Sequence, residues 1–429
     1  METNSPFQFV SISESLCNGC VLCMKACPTR AIRVKDSRMA HIVGVCVKCG
    51  ECVRICPRGA VKFVTPEQAP RKSAFSCVSA SSALYVQFGE KFMPNDVLLA
   101  LMDLNLGYVH DTSYTSELYN IALQLYLEEQ RQNPDAPRPL ISPFCPVVIR
   151  TIYHRFPSLI KHIAPLLPPR EIVAREAKKR LSVKYGCRPE DIKVLHVTPC
   201  AAQIPAVLEP IENENSHIDG ITGIGAMFER IHAALRSLEY DKVLHHSGGA
   251  GLAWAGIGGE IAGLEMNCLA ISGLQETILY LSRIEMGLFK DIDYVEFRTC
   301  PEGCIGGPLT VADKYKAKHH LQKLIRHFGP EKRVKEEYAK KLYSQGWFFG
   351  QRTIQALDQR GSGTSISERI EKQSRVEETL KRLPRKECAV CGCPDCRTFA
   401  EDVVNEKTSL EKCLFLEQMK KTGGRAGEG

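Results

Sequence analysis

Apolar and polar positions along the chain follow two different periods. Residues 97–104 and 118–129 repeat apolar side chains every three or four positions, which predicts amphipathic helices. Between residues 190 and 300, short β-like runs alternate with helix-like stretches, and these runs are 193–197, 267–271 and 294–297. That order predicts an α/β core whose strands deliver their loops to one edge.

Shorter elements are predicted near the amino end. Segments 31–34 and 60–64 alternate apolar and polar residues, as short strands do. A polar, proline-bearing stretch at 65–73 predicts a linker and hence a domain boundary. We therefore expect a first domain at 1–68, a core at 74–345, a linker with a helix at 346–384, a small domain at 385–420 and a disordered tail at 421–429.

The 20 cysteines among 429 residues add a chemical prediction. They cluster in short motifs, which in a chain of this size indicates metal binding and not a disulfide framework. The first residues lack the basic and apolar regions of a signal peptide, and no apolar run approaches the roughly 18 residues of a membrane span. We expect a protein of a reducing, cytoplasmic compartment with no membrane span.

The pattern CxxCxxCxxxCP occurs twice, at residues 17–28 and 46–57. It is the pattern of bacterial two-cluster ferredoxins, in which the fourth cysteine of each run binds the other cluster. The first 4Fe-4S cube is then expected on Cys17, Cys20, Cys23 and Cys56, and the second on Cys46, Cys49, Cys52 and Cys27. A zinc ribbon needs four ligands per ion and does not explain eight in this register.

Three loops of the core carry cysteine beside proline. They contain Cys145 before Pro146, Cys200 after Pro199, and Cys300 before Pro301 with Cys304 four residues later. Four thiolates from three distant loops are the number that one further cube needs. Cys77, Cys187 and Cys268 lie outside these motifs and are expected to be small buried or partly buried residues.

These three loops resemble, in order, the three signature motifs of the FeFe-hydrogenase catalytic domain, over roughly residues 75–345. The resemblance implies a 4Fe-4S cube on Cys145, Cys200, Cys300 and Cys304. It also implies that Cys304 bridges to a diiron centre carrying CO, cyanide and a dithiolate. The runs at 246–251 and 303–310 look most like those of the sensory or regulatory branch of that family.

The chain departs from the catalytic pattern at three positions around the implied diiron pocket. Catalytic members have a proton-relaying cysteine where this chain has Phe144, a cyanide-binding lysine at Gln203, and a methionine at Arg298. Phe144 has no exchangeable proton, and Gln203 cannot make a charge-assisted hydrogen bond as lysine does. Loss of an acid–base group commonly slows catalysis by orders of magnitude, so fast turnover is not expected.

A last cysteine group lies near the carboxyl end. Its pattern resembles a small single-cluster 4Fe-4S domain, with Cys388, Cys391, Cys396 and Cys413 as the implied ligands and Cys393 left over. A structural zinc site remains the alternative, since four cysteines would satisfy it equally.

Two further segments have plainer explanations. The glycines at 248–259 do not match a nucleotide-binding loop, and we expect backbone packing near the central cluster. The charged segment 313–341 is predicted to be a solvated helix face, with a docking surface as the alternative.

The predicted fold class is α/β and α+β, with a ferredoxin-like module for two 4Fe-4S clusters, an FeFe-hydrogenase-like α/β core and a small α-rich C-terminal cluster domain. The main hypothesis is a sensory or low-activity hydrogenase-type redox protein that acts on or senses H2. Its partner would be a redox partner protein or a downstream signalling protein. The alternative is an electron-transfer or redox-sensing protein with cubane clusters only. The formal charge of +7 omits cluster charge, so nucleic acid is not an expected partner.

Overall fold

The computed structural model describes residues 9–35, 38–64, 76–208, 210, 215–238, 242–350 and 366–416. The chain forms two compact units, one made of Met1–Val64 with Ala356–Gly429 and the other of Thr65–Gln355. The predicted linker at 65–73 and the predicted tail at 421–429 lie outside the described residues, as do residues 351–365 of the predicted linker at 346–384.

The amino-terminal part is a pair of short hairpin-like sheets with two short helices. Its elements are β1 (Val10–Ile12), α1 (Leu22–Ala26), β2 (Ile32–Val34), β3 (Ala40–Ile42), α2 (Glu51–Ile55) and β4 (Val61–Phe63). Strand β1 pairs antiparallel with β4, and β2 pairs antiparallel with β3. The two predicted strands coincide with β2 and β4. Each helix follows a residue in the left-handed region, Val21 before α1 and Gly50 before α2, at equivalent positions of the sequence repeat.

The central unit alternates strands and helices. Its elements are β5 (Cys77–Ala80), α3 (Pro94–Asp103), β6 (Tyr108–Asp111), α4 (Thr112–Gln132), β7 (Leu140–Ile141), α5 (Pro146–Arg155), α6 (Pro169–Tyr185), β8 (Val194–Thr198), α7 (Gln203–Leu208), β9 (Gly220–Gly223), α8 (Ile224–Ala234), α9 (Gly249–Ala253), β10 (Cys268–Ser272), α10 (Leu274–Glu285), β11 (Tyr294–Arg298), α11 (Lys314–Phe328) and α12 (Glu336–Ser344). The predicted helices lie in α3 and α4, and the predicted strands lie in β8, β10 and β11.

Two parallel sheets organise this unit. One has the strand order β6-β5-β8-β9, and the other has the order β10-β11-β7. Buried Leu98 of α3, Ile224 of α8 and Leu321 of α11 share an apolar core with Val197 of β8. Because parallel strands need crossover connections, each strand ends in a loop that leads to the next helix. The carboxyl ends of β7, β8 and β11 carry the cysteine loops of the sequence.

The glycine-rich segment packs by backbone contact, as predicted. A Cβ on Gly251 would lie 2.3 Å from the carbonyl oxygen of Ser113 at the start of α4. The amide of Ile305 donates to the carbonyl of Ala255 at 3.0 Å, which brings this segment against the Cys304 loop. Helix α11 buries Leu321 and Leu324 and exposes its charged residues, which fits the solvated face predicted for this region.

The described C-terminal residues include the helices α13 (Ile366–Arg382) and α14 (Cys396–Val404). They share an apolar core that contains Val376, Leu380, Phe399 and Cys413. This C-terminal part belongs to the same compact unit as the amino-terminal sheets. In the described part of the chain, no helix combines the length and hydropathy needed to cross a membrane.

Candidate metal centres

The four central cysteines lie just beyond strand ends. Cys145 immediately precedes α5, Cys200 follows β8 by two residues, and Cys300 follows β11 by two residues. Cys304 begins a short 3₁₀ turn. Cys145 is buried, and the other three are partly buried. Loops from both parallel sheets therefore contribute to one group of thiols.

Electrostatics indicate that these four thiols converge. Burial raises the pKa of Cys200 well above its usual value, and the thiols of Cys300, Cys145 and Cys304 raise that pKa further. Burial also raises the pKa of Cys304 to about 12, although the nearby Arg298 guanidinium favours the thiolate. Without a cation beside them, the thiols of Cys200 and Cys304 would stay protonated, whereas metal ligation requires and stabilises the thiolate form.

The glycines around Cys304 hold the second and third loops together. Gly303 has φ +86°, and a Cβ there would lie 2.5 Å from backbone atoms of Gly256 and Ile257. A Cβ on Gly307 would lie 2.4 Å from the carbonyl oxygen of Pro199. Only residues without a side chain allow this approach. The third loop is thereby fixed against the residue that precedes Cys200.

Two of the three departures from the catalytic pattern are in direct contact. The central carbon of the Arg298 guanidinium lies over the Phe144 ring, 3.9 Å from its centroid. Trp254 contacts both groups and meets the Phe144 ring edge-on, with its ring centroid 5.4 Å from that of Phe144 and 5.8 Å from the guanidinium carbon. The indole N–H of Trp254 donates to Asn120 Oδ1 at 2.7 Å, which fixes the ring.

Arg298 is also the cation of a buried acidic cluster. Its Nη2 donates to Glu260 Oε2 at 2.9 Å, and its Nε lies 3.3 Å from Glu296 Oε1. The hydroxyls of Ser142 and Tyr294 donate to Glu260 at 2.8 and 2.5 Å. Burial works against the charged guanidinium, but Glu296 and Glu260 more than offset it and the pKa of Arg298 is raised.

Two nitrogens of this guanidinium lack hydrogen bonds. Among the described residues, Arg298 Nε and Nη1 have no hydrogen-bond partner although the side chain is 1% exposed, and of the two, Nε lies 3.3 Å from a Glu296 carboxylate oxygen. A buried, charged N–H group without a partner is costly, so its presence points to an anionic group that the protein atoms do not supply. The thiols of Cys304 and Cys145 both interact electrostatically with this guanidinium.

Gln203 makes a different set of contacts. It is buried at the start of α7, and its Oε1 accepts a hydrogen bond from Thr198 Oγ1 at 2.6 Å. The Thr198 hydroxyl also accepts a hydrogen bond from the Cys200 amide at 3.1 Å. Gln203 therefore supports the Cys200 loop through Thr198.

Each ferredoxin motif shares a cavity with a cysteine of the other motif. One cavity is lined by Cys17, Cys20, Cys23 and Cys56. A second cavity is lined by Cys27, Cys46, Cys49 and Cys52. These two groups of cysteines are the ones expected if the fourth cysteine of each motif binds the cluster of the other motif.

The C-terminal cysteines line a cavity of their own. Its lining includes Cys388, Cys391, Cys396 and Cys413. Cys393 is fully buried elsewhere, and its thiol donates to Asp402 Oδ2 at 3.4 Å. Within the described ranges, no three His, Cys, Asp or Glu side chains close around a single point as they would for one metal ion.

The remaining cysteines were expected to be buried or partly buried. Cys77 is buried in β5 and Cys268 is partly buried in β10, but Cys187 is exposed, so the prediction for Cys187 is wrong. It follows Gly186, which ends α6 in the left-handed conformation at the surface. The structure also adds Trp254, Glu260 and Glu296 to the central site. No motif or residue spacing in the sequence indicated these three residues, although Trp254 lies in the glycine-rich segment and Glu260 directly follows it.

Known families match three successive parts of the chain. A 4Fe-4S dicluster domain matches residues 9–80, the C-terminal domain of the iron only hydrogenase large subunit matches residues 75–259, and an Fe-S cluster family matches residues 383–415. The central part of this chain is similar to the iron only hydrogenase large subunit over residues 75–259. The matched range includes the Cys145 and Cys200 loops of this hydrogenase-like domain, and the Cys300 loop lies beyond it.

Solved structures show the same fold. Two structures of the FeFe-hydrogenase HydA1 from Chlamydomonas reinhardtii, one of them an apo form, align with TM-score 0.52 at 15% identity. Each alignment covers 68% of this chain and 96% of the hydrogenase. The hydrogenase-like architecture is therefore confirmed.

Two relatives match shorter stretches. The NADP-reducing hydrogenase subunit HndD of Solidesulfovibrio fructosivorans is 22% identical over 192 residues, 41% of this chain and 33% of HndD. The polyferredoxin protein MvhB of Methanothermus fervidus is 35% identical over 65 residues, 13% of this chain and 16% of MvhB. The chain thus spans about a third and a sixth of their lengths. It is an iron–sulfur protein with ferredoxin-like and hydrogenase-like parts.

Proposed function

We propose that this chain is an electron-transfer protein whose central site is a hydrogenase-type centre of low or sensory activity. The observation that carries the proposal is the Arg298–Phe144 stack beside the four central cysteines. The relatives named as a hydrogenase subunit and a polyferredoxin support a role with redox partner proteins.

The central residues fit an anionic iron–sulfur group. Cys145, Cys200, Cys300 and Cys304 offer four soft thiolate ligands. The unpaired Nη1 of Arg298 offers a buried positive donor beside them. When bound, a hydrogenase-type centre supplies a metal site at which dihydrogen is formed or split. The ligand set proposed for its cube is the four cysteines, with Cys304 as the bridging residue.

The residues around this site restrict proton delivery. Phe144 has no exchangeable proton. Arg298 is a permanent cation because its guanidinium does not deprotonate in proteins, and the carboxylates of Glu260 and Glu296 favour the charged form further. Neither member of the stack can therefore pass a proton to a substrate. Gln203 is neutral and accepts a hydrogen bond from the Thr198 hydroxyl. It therefore supplies no positive charge to the site.

A rival function follows from the same stack. Arg298, Phe144 and Trp254 are bulky groups packed together at the site, and a protein that holds only cubane clusters would tolerate them equally well. Such a protein would transfer electrons or respond to redox state without hydrogenase chemistry. Iron content separates the two functions, with about 18 atoms per chain if the diiron unit is bound and about 16 if it is not.

The activity is tested on protein produced anaerobically with the hydrogenase maturation enzymes. H2 evolution is measured with reduced viologen, beside a catalytic FeFe-hydrogenase matured in the same way. We expect a rate at least about 100-fold lower, the usual effect of losing an acid–base group. A rate equal to that of the catalytic enzyme would contradict the low-activity assignment.

The C-terminal site is proposed to hold a 4Fe-4S cube and not zinc. A zinc ion contacts four sulfurs directly at about 2.3 Å, whereas no three of the described His, Cys, Asp or Glu side chains close around a single point, and the four C-terminal cysteines line one cavity as the ferredoxin cysteines do. Metal analysis of the purified protein tests this assignment. One zinc per chain would overturn it.

The charge balance suits such a protein. Each oxidised cube on four thiolates adds about −2, so four cubes would bring the formal +7 close to −1. The basic residues then compensate the clusters, and we propose a protein redox partner and no nucleic acid. Free thiolate ligands persist in reducing compartments, which supports a cytoplasmic location.

A further inference from the structure

The first and last parts of the chain meet at β2. The amide of Val34 donates to the carbonyl oxygen of Gly392 at 3.1 Å. Val34 also lines the cavity of the first ferredoxin site. Gly392 directly follows Cys391 in the chain, and Cys391 lines the C-terminal cavity. One hydrogen bond therefore connects the walls of two candidate cluster sites.

Close packing at this point depends on the glycine. Gly392 has φ +78°, and a Cβ there would lie 2.2 Å from the carbonyl oxygen of Val34. Ala389, from the same C-terminal loop, is buried in one apolar cluster with Val34, Ile32 and Met24. Any larger residue in place of Gly392 would push the loop away from β2.

A buried ion pair fixes the same contact. Arg33, next to Val34, donates to both oxygens of Asp402, with Nε and Nη2 at 2.8 and 3.1 Å. The Arg33 and Asp402 side chains are 9% and 6% exposed. Asp402 also accepts the thiol hydrogen bond from Cys393. Bidentate Arg–carboxylate pairs define orientation strictly, so this pair holds α14 in register with β2.

The contact is specific to one of the two ferredoxin sites. Val34 lines the cavity that contains Cys17 and Cys56. Among the described residues, the cavity that contains Cys27 and Cys46 is lined by Ile32 of the same strand but not by Val34.

We infer that Val34 and Gly392 couple the C-terminal centre directly to the first ferredoxin centre, so that the two ends of the chain form one electron relay. This inference rests on the proposed 4Fe-4S occupancy of both sites. The exchange is one electron: one cube is oxidised, the other is reduced, and no bond or proton changes place. The electron enters from a low-potential, one-electron donor protein.

Electron paramagnetic resonance of the full-length protein, reduced with dithionite, tests the coupling. The wild type is compared with Cys413→Ala, which removes one C-terminal ligand. We expect the wild-type spectrum to be broadened by spin–spin interaction and to differ from the sum of the separate cluster signals. In Cys413→Ala the contribution of the C-terminal cube to that broadening is lost, whereas the interaction between the two ferredoxin cubes remains. A wild-type spectrum equal to that of Cys413→Ala plus one isolated cubane signal is the additive result, and it would overturn the inference.

Iron content separates this outcome from failure of the proposed function. If Cys413→Ala loses about four iron atoms but the wild-type spectra are additive, only the coupling is wrong. If Cys413→Ala loses no iron and the wild type contains zinc, the C-terminal cube itself is wrong.

A second variant pair examines the contact without removing a ligand. Gly392→Val is expected to keep its iron and lose most of the C-terminal contribution to the broadening. Gly186→Val is the matched control, because Gly186 has a similar φ of +63° and no atom within 4 Å of an added Cβ. Unchanged broadening in Gly392→Val with normal iron content would count against the role of Gly392. If Gly392→Val fails to fold, the comparison of the wild type with Cys413→Ala still tests the coupling.

Discussion

The guanidinium of Arg298 lies over the ring of Phe144, with 3.9 Å between its central carbon and the ring centroid. The resemblance to catalytic FeFe-hydrogenases implies other residues at both positions, and the contact makes Phe144 and Arg298 one structural feature. The aromatic face provides a favourable site for a cation that must remain buried. The stack therefore explains why a bulky apolar residue and a charged residue occur together beside the cysteines.

Replacing Phe144 tests the role of the missing proton donor. Phe144→Cys restores a group with an exchangeable proton, and Phe144→Ala removes the ring without adding one. If a diiron centre is present, we expect H2 evolution by the matured Phe144→Cys protein to exceed that of Phe144→Ala by about 10- to 100-fold. Equal rates in the two variants would show that proton delivery at this position does not limit turnover.

Replacing Arg298 tests its structural role. Arg298→Met leaves Glu260 and Glu296 buried without their cation, and removal of one partner from a buried ion pair costs about 3–5 kcal/mol. Both tryptophans, Trp254 and Trp347, lie in the central unit, so their fluorescence follows its unfolding in denaturant.

The matched control for this variant is Lys318→Met. Lys318 pairs with Glu302 at 2.6 Å, with side chains 44% and 22% exposed, and loss of such a pair costs less than about 1 kcal/mol. A similar loss of stability in both variants would contradict the role assigned to the buried pair.

The stability of the central unit should depend on pH through Glu296. Burial raises the pKa of Glu296 to about 7, although Arg298 favours the ionised form. The folded state therefore keeps a proton that the unfolded chain releases near its ordinary value of 4.5. The stabilising contribution is present below that value and is lost as the pH rises through about 7.

Glu296→Gln should flatten this profile. Between pH 5 and 8, we expect the wild type to lose on the order of 2 kcal/mol more than Glu296→Gln, measured by tryptophan fluorescence in denaturant. Glu302→Gln, at the surface of the same unit, serves as the control and should keep the wild-type slope. A wild-type slope in Glu296→Gln would assign the pH dependence to other groups.

Gly303 should be essential for the central cluster. An alanine there would be strained at φ +86° and would clash with Gly256 and Ile257, which displaces the neighbouring Cys304. We expect Gly303→Ala to lose about four or more iron atoms per chain, while Gly186→Ala keeps its full content. Full iron content in Gly303→Ala would mean that the third loop tolerates movement.

The grouping of the ferredoxin and C-terminal cysteines around shared cavities could be predicted from the sequence because cysteine spacing is a local signal. The strands that carry Cys200 and Cys300 were also predictable, since short apolar runs mark buried parallel strands. Contacts between distant residues could not be predicted in this way. Nothing in the sequence near Phe144 indicates that Arg298 lies on its ring.

The contact between β2 and the C-terminal segment also joins residues that are distant in the sequence, so it could not be predicted either. The sequence predicts domains at 1–68 and 385–420, and the structure pairs Arg33 of the first segment with Asp402 of the second. The two residues are 369 positions apart, and neither belongs to a motif. The partner of Cys393 could not be predicted either. Its thiol donates to Asp402, and the two residues come together only when α14 is folded against the cysteine loop.

Infrared spectroscopy of the anaerobically matured protein tests the central claim most directly. The CO and cyanide ligands of a diiron unit absorb where protein and cubane clusters do not. We predict CO and cyanide bands in the wild type, together with slow H2 evolution. Their absence from protein that contains about 16 iron atoms per chain would contradict the hydrogenase-type centre and favour the cubane-only electron carrier.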